Sequence, residues 1–302
     1  MTRWFINHRR LVLQLVGTIL AFGLIFVLVR EEGWDEVFKA LRLISLGHLA
    51  EALALVLVSR LFVAARWYVL LRSGDVKISM TDSTALTFTG LFSNNFLPTT
   101  VGGDGVRLAG AMQLGYDRAV CLASLVADRL MGMVGMLFTL PFGLLPALHS
   151  LGTGASQSLA WSGLMARGLN FARRTLQTFS IWFGKPGALI AALGCTWGHM
   201  FCTFLTMHIL IDSLGYHVDF WLIAGLWSLA YFVTLVPISI NGYGVQELSL
   251  SFLFSTVAGL SAAASLSVAV LIRALYVGVS LVGALFMPAT LASLGKSGSA
   301  GA

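Results

Sequence analysis

The chain has 302 residues, of which 57% are hydrophobic and only 11% charged, with a net charge of +6 and three cysteines. A soluble domain carries about 25% charged residues, so this composition excludes a soluble globular protein and describes an integral membrane protein. The basic excess gathers at the ends of apolar segments, where Lys and Arg set orientation, so no nucleic-acid partner is expected. Cys121, Cys195 and Cys202 lie inside apolar segments without a Cys-x-x-Cys pair, which argues for neither a disulfide framework nor a redox motif.

Arg3, His8, Arg9 and Arg10 precede the apolar run 11–29, which is too long for a signal-peptide core and lacks a small-x-small cleavage site. Residues 10–29 are read as a retained first span of a multi-pass cell-membrane protein, with the N-terminus cytoplasmic. Trp34, Val37, Phe38 and Leu41 recur at helical spacing against Asp35, Glu36, Lys39 and Arg42, the pattern of a short interfacial helix. The next span, 47–71, carries Arg60 and Arg66 well inside its ends, each costing about 2.5 kcal/mol or more at that depth. Thr81 or Asp82 can cap a helix running to about Phe96, and a second short helix is expected over 105–114. Asp117 then caps a long apolar helix to about Leu145, interrupted by Asp128-Arg129.

From Gly152 the composition turns to Gly, Ser and Thr. Leu169, Ala172, Leu176 and Phe179 then oppose Arg167, Asn170, Arg174 and Gln177, so 150–185 is read as a basic interfacial linker between a first repeat, 47–147, and a second, 186–290. The second repeat follows the same plan: a span over 187–210, an apolar helix over 220–236, a short helix from Tyr243, and a last span over 262–285 carrying Arg273. The tail from Lys296 is small and polar and is expected to lack structure.

Between the short helices of the first repeat lies a polar, glycine-rich break from Asn94 and Asn95 through Pro98, Gly102, Gly103 and Asp104 to Arg107. Pro98-Thr-Thr-Val-Gly-Gly-Asp-Gly-Val-Arg107 aligns without gaps to Pro237-Ile-Ser-Ile-Asn-Gly-Tyr-Gly-Val-Gln246, so the chain carries an internal repeat that includes Asn241 and Gly242. Backbone at membrane depth must be hydrogen-bonded internally, so such a break is tolerated only when buried in protein or lining a wet cavity. Glycine permits close approach and positive φ, and the free amides opening the next helix can receive an anion. The bland alternative is a pair of ordinary turns outside the membrane. Two matched breaks in corresponding positions favour a transporter binding site instead.

Arg60, Arg66, Arg107, Asp128, Arg129, Glu247 and Arg273 are the charges that membrane physics makes suspicious. Arginine predominates, and guanidinium binds phosphate by paired hydrogen bonds while staying charged in apolar surroundings. The competing role for the charges is to pair with one another and hold helices, or to snorkel. Arg107 and Arg129 are the first candidates to hold a phosphate. Asp104, Asp128 and Glu247 would position them or meet a cationic headgroup, and Asn94, Asn95 and Asn241 would add neutral hydrogen bonds. Cys195, His199 and Cys202 share one helical face but lack a fourth ligand, so no metal is expected. No Gly-x-Ser-x-Gly or His-Glu-x-x-His arrangement marks catalytic residues.

At these residues the chain resembles the flippase-like membrane domain of the lysylphosphatidylglycerol synthase family, which also occurs as stand-alone proteins. The resemblance rests on Asn95-x-x-Pro98, Gly102-Gly103-Asp104-x-x-Arg107, Ala123-Ser124, Asp128-Arg129 and Pro237-x-Ser239-x-Asn241-Gly242-x-Gly244-x-x-Glu247. It implies movement of aminoacylated phospholipids, other bilayer lipids or polyprenyl-linked glycolipids. The soluble aminoacyl-transferase domain of the fused members is not among these residues, so synthesis of lysyl lipid is not expected of them.

The resulting expectation is an all-α polytopic membrane bundle of six to eight passes, with two repeated halves, each containing a broken or re-entrant helix around an arginine-lined cavity. The function expected is flippase-like transport of an anionic, phosphate-bearing membrane lipid without a cofactor. A Walker-type nucleotide loop is missing, so movement would be downhill or ion-driven. The alternatives are a membrane-embedded glycolipid or phospholipid transferase with Asp104 or Asp128 as general base, and a scaffold for a lipid-synthesising partner enzyme. If each broken helix crosses the membrane, the halves are inverted and the basic linker is cytoplasmic, which the charge bias favours. If each is re-entrant, the halves run parallel.

Overall fold

A computed structural model describes residues 34–97, 102–150, 185–235 and 239–287, together with positions 19, 23, 26 and 30. Most of the expected first span and of the linker 150–185, the segments 98–101 and 236–238 that include both break prolines, and the C-terminal tail lie outside the described residues.

The described chain is all α, with no strand. Helix α1 (Trp34–Leu43) is followed by α2 (Leu46–Ser73), α3 (Met80–Ser93), α4 (Gly102–Gln113) and α5 (Arg118–Ser150). After the linker come α6 (Pro186–Ser213), α7 (Phe220–Thr234), a 3-10 turn (Ile240–Gly242), α8 (Val245–Thr256) and α9 (Ala262–Ser280). Starts are set by local chemistry: Ser45, Ser79, Asp219 and Ser261 each accept a backbone amide of the first turn. The cap of α3 is therefore Ser79, two residues before Thr81 and three before Asp82. The turns after α2, α4, α6 and α8 contain Asp75, Gly115, Gly215 and Gly259, all at positive φ, the left-handed conformation that closes helix C-termini.

Four described helices are long and apolar enough to cross a membrane: α2, α5, α6 and α9 with its continuation to Met287. Only 28–39% of each spanning window is buried within the protein; the exposed Leu, Phe and Trp side chains on their outer faces suit hydrocarbon. The protein is a multi-pass membrane protein. The short helices do not span. At 14, 12, 15 and 12 residues, α3, α4, α7 and α8 reach only about 18–23 Å, against roughly 30 Å of hydrocarbon.

The short helices instead fold back on one another. In the α3/α4 pair, Asn94 lies against Gly103, Gly90 against Gly103 and Leu86 against Gly110, an antiparallel register. Tyr116, just after α4, donates its hydroxyl to the Lys77 carbonyl just before α3, at 3.3 Å, so both outer ends meet. In the second set the Ser261 amide, at the start of α9, donates to the Tyr216 hydroxyl before α7 at 3.2 Å. Both breaks are thus re-entrant tips rather than mid-span kinks.

The two sets point in opposite directions. Helices α2 and α6 pack along their lengths with antiparallel register, from Lys185 bonded to Asp75 at one end, through Arg66–Thr196, to Ser59–His199. The loop after α2 and the loop after α6 therefore lie at opposite ends of the bundle. Helix α5 begins at the Lys185 end and meets α7 antiparallel, with Phe142 against Trp221 and Thr139 bonded to Ser228 at 2.6 Å. Their backbones touch where Gly143 faces Gly225. Ser150 and Lys185 consequently lie at opposite ends. The expected coupling of re-entrant breaks to parallel direction does not hold: the breaks are re-entrant, and α2–α5 runs opposite to α6–α9. The assumption that failed was a linker whose two ends share one face.

Candidate functional site

Each break is pinned by its own side chains. Asn94, closing α3, accepts the Gly103 amide at 2.7 Å, and a Cβ on Gly103 would collide with the Gly90 carbonyl. Close backbone approach is what requires glycine there. In the second break Asn241, Gly242 and Gly244 all have positive φ, and the Gly244 amide donates to Glu247 Oε2 at 2.7 Å. One amide at each helix start, that of Gly103 and that of Gly244, is thus already bonded within the protein. Gly102 packs against Leu97.

The breaks touch. The Tyr243 hydroxyl donates to Asn95 Oδ1 at 2.9 Å, and Asn95 Nδ2 donates to Ser280 Oγ on α9 at 2.8 Å.

Behind each break an arginine from the following long helix reaches a carboxylate in the first turn of the following short helix. Arg129 on α5 donates through Nε to Asp104, and Arg273 on α9 donates through Nε to Glu247. Asp104 and Glu247 are each the third residue of their helix, where a negative charge also suits the helix dipole. Arg273 Nη2 donates to Gln246 at 2.7 Å. The gapless alignment pairs Asp104 with Tyr243, so the matching acid stands one helical turn later in the second break.

Asp128 is the centre of a buried triad: Arg66 Nε lies 2.6 Å from one oxygen and Arg107 Nη1 3.3 Å from the other. Arg107 also reaches Asp104 at 3.3 Å and stacks over Trp67 at 4.2 Å from the ring centroid. Its Nε and Nη2 are buried without a hydrogen-bond partner. Arg107 is 7% exposed at its side chain, whereas Arg129 is 38% exposed. Sequence reasoning treats the two arginines alike, but their surroundings differ.

A cavity of about 480 Å³ opens between the breaks, lined by Asn94, Asn95, Asn241 and Gly242 and by Arg60, Arg129 and Arg273. A smaller one of about 220 Å³ adjoins it, sharing Arg60, Arg129 and His199 and adding Arg66, Asp104 and Asp128. Among the described residues, no Asp or Glu lines the larger cavity. Arg60 lies over the Tyr276 ring at 4.1 Å and meets no carboxylate among the described residues. Arg107, Gly102, Gly103 and Glu247 line neither cavity; they buttress its wall.

Other lining residues were not singled out as binding candidates from sequence: His199, Thr203, Trp227, Tyr231, Tyr243, Gln246 and Tyr276. His199 bonds Ser59 at 2.6 Å rather than converging with Cys195 and Cys202, and no cluster of three His, Cys, Asp or Glu groups forms among the described residues. Tyr276 stands three positions, nearly one turn, after Arg273 on an apolar helix, which is the signal that could have exposed it.

A family profile described as the lysylphosphatidylglycerol synthase TM region matches residues 14–283. Comparison with curated proteins gave no match. The matched span takes in both breaks, every arginine of the cavity and the four membrane-crossing helices, and the chain belongs to the family of the lysylphosphatidylglycerol synthase transmembrane region.

Proposed function

We propose that the protein moves a phosphate-bearing membrane lipid between leaflets, with the headgroup passing through the cavity between the two breaks while the acyl chains stay in the bilayer. The observation that carries this reading is the lining: three arginines and no carboxylate around about 480 Å³ at the junction of two re-entrant hairpins. Guanidinium groups at a partly dry site favour phosphate oxygens strongly. On this reading Arg129, Arg273 and Arg60 meet the phosphate, with Asn94, Asn95 and Asn241 as neutral partners. Asp104 and Glu247 hold the first two arginines in place. Arg66, Arg107 and Asp128 fix the α2, α4 and α5 wall.

The same reading makes α2–α5 and α6–α9 inverted repeats. Helix lengths of 28, 14 and 12 residues recur as 28, 15 and 12, and the Asp104–Arg129 pair has its counterpart in Glu247–Arg273. Binding sites at the interface of inverted repeats with interrupted helices suit alternating access. The transferase alternative is weaker, because Asp104 and Asp128 are each already bonded to two arginines, so neither carboxylate stands ready to take a proton from an acceptor hydroxyl.

Reconstitution tests this function. Vesicles containing the pure protein and a trace of headgroup-labelled phospholipid are treated with a membrane-impermeant quencher. Loss of signal well beyond the outer-leaflet half is the expected result; loss identical to that in protein-free vesicles would contradict it.

A further inference from the structure

Positive charge outweighs negative charge around the cavity. Arg60, Arg129 and Arg273 face it. Arg66 and Arg107 stand behind it on Asp128, and among the described residues the other carboxylates of the network are Asp104 and Glu247. Five guanidiniums thus meet three carboxylates, an excess of two positive charges within membrane-crossing and re-entrant helices. Arg60 contributes to that excess directly, since its described partner is the uncharged Tyr276 ring, and Arg273 is near enough to repel it. Uncompensated charge at that depth costs several kcal/mol, so the site is built to be neutralised by what it binds.

Resting on the lipid-transport reading, we infer that the ligand of this cavity carries a phosphoryl headgroup of at least two negative charges, a phosphomonoester or a diphosphate, rather than a singly charged phosphodiester. Two features of the site point the same way. The excess of two charges is balanced by a dianion and only half balanced by the single charge of a phosphodiester. A phosphodiester also offers just two non-bridging oxygens, whereas a phosphomonoester offers three, one for each cavity arginine, and a diphosphate offers more. The rest of the polar lining is the His199 imidazole, amides at Asn94, Asn95, Asn241 and Gln246, and hydroxyls at Thr203, Thr234, Ser280, Tyr231, Tyr243 and Tyr276. A lipid with a cationic headgroup finds no counter-charge on these walls.

The test compares two lipids with identical acyl chains, phosphatidic acid and phosphatidylglycerol, for binding to the purified full chain in detergent. At pH 8, phosphatidic acid is expected to bind about tenfold tighter or more, a difference of about 1.4 kcal/mol. The ratio is expected to collapse to within about twofold at pH 5, because the second phosphate proton is regained near pH 6. A charge gained by His199 on acidification would favour the more highly charged ligand and raise the ratio, so it cannot produce the collapse. Arg60→Gln is expected to erase the ratio at pH 8, while Arg60→Lys keeps part of it; the wild-type pH series stands alone if Arg60→Gln does not fold. A short prenyl diphosphate forms a further arm: whichever of it and phosphatidic acid binds tighter names the headgroup. Equal binding of phosphatidic acid and phosphatidylglycerol at pH 8, or a ratio that ignores pH, would overturn the inference. If phosphatidylglycerol is nevertheless moved between leaflets, the transport reading survives that result; if no lipid binds or moves, both fall.

Discussion

The Tyr243 hydroxyl and the Asn95 carboxamide, from opposite re-entrant tips, share a hydrogen bond of 2.9 Å at the rim of the arginine-lined cavity. Asn95 passes the connection on to Ser280 of α9. Each neutral bond contributes about 1 kcal/mol. Tyr243→Phe should therefore lower stability by about 1 kcal/mol and Asn95→Ala by about twice that, read as thermal unfolding in detergent. Equal shifts for the two variants would mean that Asn95 does not link three elements.

Arg107 and Arg60 should separate folding from transport. Arg107 is buried against Asp104, Asp128 and Trp67 and lines neither cavity, so Arg107→Ala removes one of the two arginine partners of each carboxylate and should cost about 1.5–3 kcal/mol. The yield of folded protein should fall. Arg60→Gln should fold and still lose most lipid movement. Normal yield and normal transport for Arg107→Ala would refute the wall role given to it.

Helices α5 and α7 cross with Gly143 against Gly225 and no room for a side chain, since a Cβ on either would strike the backbone of the other helix. Small residues at such crossings allow the close packing that holds membrane helices together. Gly225→Val should destabilise by about 1–3 kcal/mol or prevent folding. Gly194→Ala is the control, because nothing lies within 4 Å of its added carbon. Loss of folding in both variants would remove the crossing as the cause.

The four described spans are legible in the sequence because hydropathy and length alone decide them, and the expected cap at Asp117, which accepts the Val120 amide, follows ordinary helix-start chemistry. The breaks are legible because glycine, proline and asparagine stand out within hydrocarbon-length segments. Direction is not, because it depends on where two distant loops lie: Lys185 beside Asp75 at one end, Tyr216 beside Ser261 at the other. The set of cavity arginines is only half legible. Charge counting selects Arg60, Arg107, Arg129 and Arg273 together, but only packing separates Arg107, stacked on Trp67, from the three that face the cavity. Pairing one acid to one arginine also escapes the gapless alignment, because Glu247 lies a helical turn beyond the position aligned with Asp104.

Topology gives a prediction from the same ends. Arg72, Lys77, Arg118 and Lys185 lie at the Lys185 end, while Asp212 and Asp219 flank the opposite loop. The basic end should be cytoplasmic. With Cys121, Cys195 and Cys202 replaced, Lys77→Cys should resist an impermeant thiol reagent in intact cells and react after permeabilisation, whereas His217→Cys should react in intact cells. Labelling of both from the same side would overturn the opposed direction of α2–α5 and α6–α9.

The central claim is that the cavity arginines carry lipid phosphate across the bilayer. Its most direct test is the vesicle assay run on wild-type protein and on Arg273→Ala and Arg129→Ala, at matched amounts of folded protein. Losing a charged hydrogen bond of about 1.5–3 kcal/mol should slow lipid movement roughly tenfold to a hundredfold in each variant. Movement at the wild-type rate in both variants would contradict the account.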